Sequence, residues 1–264
     1  MLPLILALTV IVYAVDTGAS AARLAGVRTG RLTLAGTIYN LLALSSRTAN
    51  ALKAPLVASL ADQAAATGTL SGLERDLRLV SLAAALGVAL GALSIPSLAR
   101  LVTQAVRSYE LRGSLPRVVL RGLSLQGLVI LQHSVEPPRR VSVGRARRWR
   151  LPRRWLLITV VVGAIYATTG LAALYASALV PQGARTATAL PSLLNGVGMV
   201  LLVLLVDPVT ALVTDQAVRG QRPASDVSNV VIWQVGGRLV GTLGAQLLLL
   251  PTAELLAWLT RWLV

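Results

Sequence analysis

The 264-residue sequence has no cysteine, no phenylalanine and a single histidine, and only 13% of its residues are charged. The missing cysteines exclude disulfide bonds and thiolate metal sites, and His133 alone cannot form a histidine metal cluster. A nucleotide-binding GxxxxGK[ST] loop is also absent, so no cofactor is predicted. Because a soluble domain carries about 25% charged residues, the sequence is neither an ordinary soluble protein nor a disordered one.

Long apolar runs make up most of the chain, which is 55% hydrophobic with a mean hydropathy of +0.71. Six runs reach the roughly 20 residues that a membrane-crossing helix needs, and none alternates like a barrel strand. The sequence therefore predicts an all-α, polytopic membrane protein with about six transmembrane helices in a single integral membrane domain, residues 1–264. The predicted spans are residues 2–22, 34–60, 77–98, 155–180, 190 to about 213, and 227–250.

The basic residues decide between nucleic acid and membrane as the partner of this chain, whose net charge is +15. They gather between apolar runs, which favours membrane topology and predicts no nucleic-acid partner. Threading six spans from an outer N-terminus places most of the 25 basic residues inside, so the positive-inside rule predicts that both termini lie outside. Tryptophans next to the fourth and sixth spans fit interfacial belts: Trp149, Trp155, Trp258 and Trp262.

Residues 100–154 form the most basic segment and are predicted to be a cytoplasmic linker. Residues 118–131 contain enough leucine and valine for an interfacial helix, which Pro137-Pro138 would end. The arginines that follow are interpreted as a topology anchor on anionic membrane lipid, with capture of a specific anionic headgroup as the alternative. These are Arg139, Arg140, Arg145, Arg147, Arg148, Arg150, Arg153 and Arg154.

Polar side chains interrupt the predicted spans, although a charge at mid-bilayer costs several kcal/mol without a partner or a wet cavity. In three spans they recur every three or four positions and so share one side of a helix. Asp207-Pro208 interrupts the fifth span, and Gly237 and Gly241 permit a close helix approach in the sixth. The three rows are Tyr13-Asp16-Ser20-Arg23, Arg47-Asn50-Lys53 and Gln234-Arg238-Thr242-Gln246.

These charges have two interpretations: ion pairs that lock the bundle, or a pathway for a substrate. Asp16 is predicted to pair with Arg47, and Asp207 with Arg238, so that the carboxylates act as gates. Lys53 has no obvious carboxylate partner, and this surplus of cations points to an anionic ligand. The candidate substrate-binding residues are Arg23, Arg28, Arg47, Asn50, Lys53, Gln234 and Arg238.

An internal repeat is predicted from an ungapped offset of 191 residues between the two ends of the chain. At this offset Val15-Asp16 matches Val206-Asp207, and Arg47 matches Arg238. The first and last hairpins would then be parallel repeats related by an axis along the membrane normal.

Two stretches carry a family resemblance. Residues 15–57 contain VDTGASAARLAGVRTGR and YNLLALSSRTANALKAPLV, and residues 207–251 contain DPVTALVTDQAVRG and WQVGGRLVGTLGAQLLLLP. Both resemble the Amj family of bacterial lipid II flippases, alternates to MurJ-type flippases. The resemblance implies a multi-pass plasma-membrane protein that moves the undecaprenyl-diphosphate-linked cell-wall precursor from the inner to the outer leaflet. It transfers no functional residue.

Two other classes remain open. A membrane enzyme acting on a polyprenyl phosphate would need a nucleophile or an acid-base pair, for which Asp207, Thr214 and Asp215 are the candidates. A structural scaffold would use its charges only as ion pairs. The sequence predicts no oligomeric state.

Overall fold

The computed structural model describes residues 1–112 and 153–264, and the regular structure in these residues is entirely helical. The all-α prediction is confirmed. The helices are α1 (Leu2–Gly18), α2 (Ala21–Thr29), α3 (Leu32–Thr67), α4 (Leu70–Arg112), α5 (Arg153–Leu179), α6 (Ala184–Ala189), α7 (Pro191–Leu201), α8 (Asp207–Val218) and α9 (Ala224–Leu263), with a 3-10 turn at Pro181–Gly183 and a π-helical stretch at Leu202–Val206.

Five helical segments in the described ranges are long and apolar enough to cross a membrane. The second predicted span lies in α3, which has 36 residues but is more polar than those five. With α3 included, the fold is compatible with the predicted six crossings. The five segments are Leu2–Thr29, Leu70–Tyr109, Arg154–Leu179, Pro181–Val218 and Ala224–Leu263.

Most of the predicted basic linker lies outside the described residues. The predicted interfacial helix at 118–131, the Pro137-Pro138 break, Trp149 and the arginines at positions 139 to 150 all fall there. At the edges of this segment, residues 100–112 continue α4 and α5 begins at Arg153.

Glycine permits the tight reversals between consecutive long helices. Gly30 ends α2, Gly68 ends α3 and Gly220 follows α8, with φ angles of 71°, 71° and 72°. A residue with a Cβ is disfavoured in this left-handed conformation by about 1 kcal/mol, whereas glycine is not. These turns make the long helices antiparallel to their neighbours in sequence.

Small residues bring the most extensively packed helix pairs close together, α1 with α4 and α5 with α9. A Cβ on Gly87 in α4 would lie 2.5 Å from the carbonyl oxygen of Val10, and one on Gly241 would lie 2.5 Å from that of Val160. Gly237 also faces α5, at Thr159. The close approach predicted from Gly237 and Gly241 is therefore confirmed.

The predicted interruption before Pro208 is present as the π-helical stretch Leu202–Val206. Proline has no backbone N–H, so a regular ladder cannot continue through this position. The Trp155 indole donates a hydrogen bond to the Val206 carbonyl at 3.2 Å and is only 3% exposed. Trp155 therefore packs inside the bundle, and its predicted position at the depth of the membrane interface stays a prediction.

One end of the bundle carries both chain termini and the turn at Gly68. Apolar side chains from α1, α3, α4, α5 and α9 fill its interior, and we call them the apolar seal. The opposite end carries the turns at Gly30 and Gly220. Members of the apolar seal include Ile5, Val57, Leu60, Leu77, Ala172, Ala176, Leu249 and Leu256.

Candidate anion-binding cavity

A cavity of about 460 Å³ lies inside the bundle. Residues from α1, α2, α3, α5, α7, the π-helical stretch and α9 line it, and the polar rows from the sequence meet there. The polar lining residues are Tyr13, Asp16, Thr17, Ser20, Arg23, Tyr39, Ser46, Arg47, Asn50, Thr159, Tyr166, Gln234, Arg238 and Thr242.

Asp16 and Arg238 form an ion pair across the cavity, from α1 to α9. The Arg238 Nη2 donates to Oδ2 of Asp16, and the guanidinium lies 5.7 Å from the centre of the Tyr13 ring. The predicted pairing of Asp16 with Arg47 is wrong, and so is that of Asp207 with Arg238. Spacing along the chain describes each hairpin, whereas the pairing depends on which helices face each other at one depth.

Arg23 on α2 joins three other elements at the cavity wall. Its Nη1 donates to Oε1 of Gln234 at 2.5 Å, and its Nη2 lies 3.7 Å from Oδ1 of Asp207. The Tyr39 ring centre is 5.7 Å from the guanidinium carbon. Asp207 therefore pairs with Arg23, and these contacts hold the guanidinium at the wall.

Arg47 on α3 is the lining arginine with no ion pair and no hydrogen bond within residues 1–112 and 153–264. Asn50, one turn further along α3, lines the same wall, and both side chains are exposed. The guanidinium of Arg47 therefore keeps its donors available to a ligand.

Lys53 lies near the cavity but does not line it. Its side chain is buried, its Nζ lies 3.2 Å from the Thr9 hydroxyl, and the Tyr13 ring centre is 5.7 Å away. No carboxylate of the described residues forms an ion pair with Lys53. Tyr13 thus contacts both Lys53 and Arg238, the second of which does line the cavity.

Two sets of predicted residues are not brought into the cavity. Arg28 is exposed on α2 outside the lining. The Thr214 hydroxyl donates to the Thr210 carbonyl of its own helix at 2.7 Å, and Asp215 is exposed. Asp207, Thr214 and Asp215 therefore make no nucleophile-base contact among the described residues.

The electrostatics of the lining favour an anion. Three guanidinium groups and one carboxylate line the cavity, and arginine matches phosphate oxygens with two parallel hydrogen bonds. The Thr17 hydroxyl beside the cavity is buried and has no hydrogen-bond partner in the described parts of the chain. Those parts hold no cluster of metal-ligating side chains.

Sequence reasoning missed Tyr39 and Tyr166 as cavity residues. Tyr39 lies eight residues before Arg47, which puts the two on neighbouring positions of α3 after about two turns. That spacing was a usable signal for Tyr39. Tyr166 lies on α5, seven residues and about two turns after Thr159, which also lines the cavity, so this spacing was a signal for Tyr166 as well.

Comparisons with known proteins match nearly the whole chain. A family model described as "Amj: Alternate to MurJ" matches residues 8–260. A relative from Bacillus subtilis (strain 168), "Lipid II flippase Amj", is 30% identical over 254 residues, covering 96% of this chain and 94% of the relative. No solved structure matches the chain. From the extent of these matches, the chain belongs to the Amj family.

Proposed function

We propose that this chain is a lipid II flippase of the bacterial plasma membrane. It moves the undecaprenyl-diphosphate-linked precursor of peptidoglycan from the inner to the outer leaflet. Family membership and the named function of the Bacillus subtilis relative support the substrate class. The long apolar helices support a multi-pass membrane location.

The diphosphate of the substrate binds in the cavity. This assignment rests on the position and the contacts of Arg47. Its guanidinium lines the cavity without an ion pair in the described residues. An uncompensated charge at this depth costs several kcal/mol unless it is solvated or binds an anion. Arg47 makes the first contact with the diphosphate, with Asn50 beside it.

Asp16 and Asp207 bind the two guanidinium groups to which the diphosphate then binds. They hold Arg238 and Arg23 in position while the cavity has no substrate. Phosphate oxygens then compete for the same guanidinium donors, because both ligands bind arginine with the same geometry. Gln234 keeps Arg23 oriented through its side-chain hydrogen bond.

A row of charged groups marks the path through the bundle. Along α9, Gln234, Arg238 and Gln246 face Arg23, Asp16 and Arg78 in turn. These positions span about 18 Å of helix at 1.5 Å per residue. Lys53 does not line the cavity, but its Nζ lies 5.7 Å from the centre of the Tyr13 ring, which Arg238 contacts as well.

The membrane potential supplies the direction of transport. Moving an anion outward is favoured by roughly 2.3 kcal/mol per charge per 100 mV when the inside is negative, before any countercharge on the protein is included. The basic segment at 139–154 anchors the inner side on anionic lipid. Neither role requires nucleotide hydrolysis.

The proposal is tested in cells that are depleted of their resident lipid II flippases and carry this protein as the sole copy. We expect growth to be restored and lipid II to become accessible to an impermeant reagent on the cell surface. Folded, membrane-inserted protein without surface lipid II would contradict a flippase. Release of phosphate from labelled substrate would instead indicate an enzyme.

A further inference from the structure

We propose a lateral portal between α3 and α7, through which the isoprenoid chain of the substrate stays in the lipid while the diphosphate occupies the cavity. This inference rests on the proposed function. The cavity volume of about 460 Å³ is that of a small-molecule pocket, for which roughly 300–1,000 Å³ is typical. A diphosphate fits in this volume but a long polyprenyl chain does not. An opening towards the lipid is therefore required.

The exposed lining residues identify the open side. Arg47 and Asn50 on α3, Tyr166 on α5 and Met199 on α7 all line the cavity and are all exposed. Lining residues from α1 and α9, such as Arg238, are buried or half-buried. The cavity is therefore closed by α1 and α9 and open on the side of α3 and α7.

Helix α3 and helix α7 both border the cavity but share no extended contact in the described residues. At the seal end α3 is joined to α5, where Val57 and Leu60 belong to the same apolar cluster as Ala172 and Ala176. Leu194 near the start of α7 packs against this same cluster, and among the described residues no other apolar cluster contains side chains from both α3 and α7. The gap thus lies on the side of the apolar seal that faces the turns at Gly30 and Gly220.

The far rim of the gap is held in place by α5. The Thr169 hydroxyl lies 2.9 Å from Oδ1 of Asn195 on α7, and a Cβ on Gly198 would meet the Tyr166 ring at 3.7 Å. In the most apolar 18-residue stretch of Pro181–Val218, the segment that contains α7, 22% of the residues are buried, which is the lowest share among the five segments. Its free side is apolar and suits a hydrocarbon chain.

With both termini outside, the seal end faces outward and the portal opens towards the inner leaflet, where the substrate begins. The structure is then a loading state. Leu44 on α3 and Met199 on α7 are the rim residues, 61% and 54% exposed.

Photocrosslinking tests the portal with the full-length chain in phosphatidylglycerol vesicles that contain radiolabelled undecaprenyl diphosphate. Benzoylphenylalanine replaces one rim residue at a time, Leu44 or Met199. Each has a control on its own helix, Leu52 and Val197, which are 74% and 51% exposed. At about 100° per residue Leu52 lies about 140° from Arg47, against about 60° for Leu44, and Val197 lies on the opposite side of α7 from Met199. Benzoylphenylalanine at Tyr166, which lines the cavity, reports whether the substrate enters the cavity.

We expect crosslinking at Leu44 and Met199 to exceed that at Leu52 and Val197 severalfold, with Tyr166 also labelled. Equal yields within each pair, together with label at Tyr166, would overturn the portal and leave the cavity as the binding site. Label at none of the five positions in folded protein would overturn the cavity assignment and the portal with it.

Discussion

Arg47 and Arg238, which line the cavity from α3 and α9, differ in their partners. Arg238 has the carboxylate of Asp16, and Arg47 has no ion pair in the described residues. Removing Arg238 therefore leaves an uncompensated carboxylate, whereas removing Arg47 leaves none. This difference separates effects on folding from effects on transport.

Arg238→Gln alone is expected to destabilise the protein by about 2 kcal/mol, below the cost for a fully buried pair because the two side chains are 32% and 29% exposed. Asp16→Asn in the same chain removes the orphan charge and should restore the unfolding temperature. Transport should stay low because the double variant still lacks the Arg238 guanidinium that binds the phosphate. Unfolding of detergent-purified protein and lipid II translocation are measured together. Full transport in the double variant would mean that the pair is only a structural brace.

Lys53 is buried beside Thr9 and Tyr13 without a carboxylate among the described residues. A methionine of similar length removes the cost of burying this charge. Lys53→Met should therefore raise the unfolding temperature by a few degrees while transport falls. Thermal unfolding and translocation of the purified variant are the measurements. A parallel loss of folded protein and activity would assign Lys53 to structure.

The polar rows in the first, second and sixth predicted spans were visible in the sequence, because a step of three or four residues keeps side chains on one side of a helix. Their partners were not visible. Asp16 faces Arg238 on α9 rather than Arg47, and Asp207 faces Arg23 on α2. These contacts depend on the packing of helices distant in sequence, which no local spacing encodes.

Among the helices, the interruption at Leu202–Val206 was predictable because proline removes a backbone donor. The break between α1 and α2 at Ala19 and Ser20 was not, since no proline stands there. The contact of α5 with α9 was indicated by Gly237 and Gly241 but without the identity of the partner helix. Glycine spacing reports that a neighbour is close, not which one it is.

Gly241→Ala should destabilise the α5–α9 contact. Its Cβ would lie 2.5 Å from the Val160 carbonyl oxygen and 2.6 Å from the Ala164 nitrogen, both backbone atoms that cannot rotate away. We expect a loss of about 1–3 kcal/mol, typical of overpacking. Gly244→Ala on the same helix is the matched control, since nothing lies within 4 Å of its Cβ and alanine is the better helix former. The measurement is the thermal unfolding of both variants. Equal stability of Gly241→Ala and Gly244→Ala would contradict the close approach of α5 and α9.

At the scale of the whole molecule, the 191-residue repeat stays a prediction. A two-fold relation between the hairpins would match the Asp16–Arg238 pair with one between Asp207 and Arg47. Asp207 instead contacts Arg23, and Arg47 has no ion pair within residues 1–112 and 153–264. If the repeat exists, the two halves differ at the cavity.

The orientation of the chain also stays a prediction, and cysteine labelling tests it because the chain has no native thiol. Ala66→Cys and Gln182→Cys should react with an impermeant reagent in intact cells, and Gln221→Cys should react only after permeabilisation. All three side chains are exposed, and Ala66 avoids the left-handed backbone at Gly68. Labelling of Gln221→Cys in intact cells would reverse the orientation and place the portal in the outer leaflet.

The central claim is that a free guanidinium in the cavity takes up the diphosphate of lipid II. The most direct measurement is lipid II translocation by the purified protein in sealed vesicles under a membrane potential, comparing the wild-type protein, Arg47→Gln and the surface control Arg261→Gln. We expect Arg47→Gln to keep its unfolding temperature, because no carboxylate loses a partner, and to lose at least about tenfold in rate, which corresponds to about 1.4 kcal/mol of lost interaction with the phosphate. Arg261→Gln should match the wild-type rate. An Arg47→Gln protein that translocates lipid II at the wild-type rate would contradict the account.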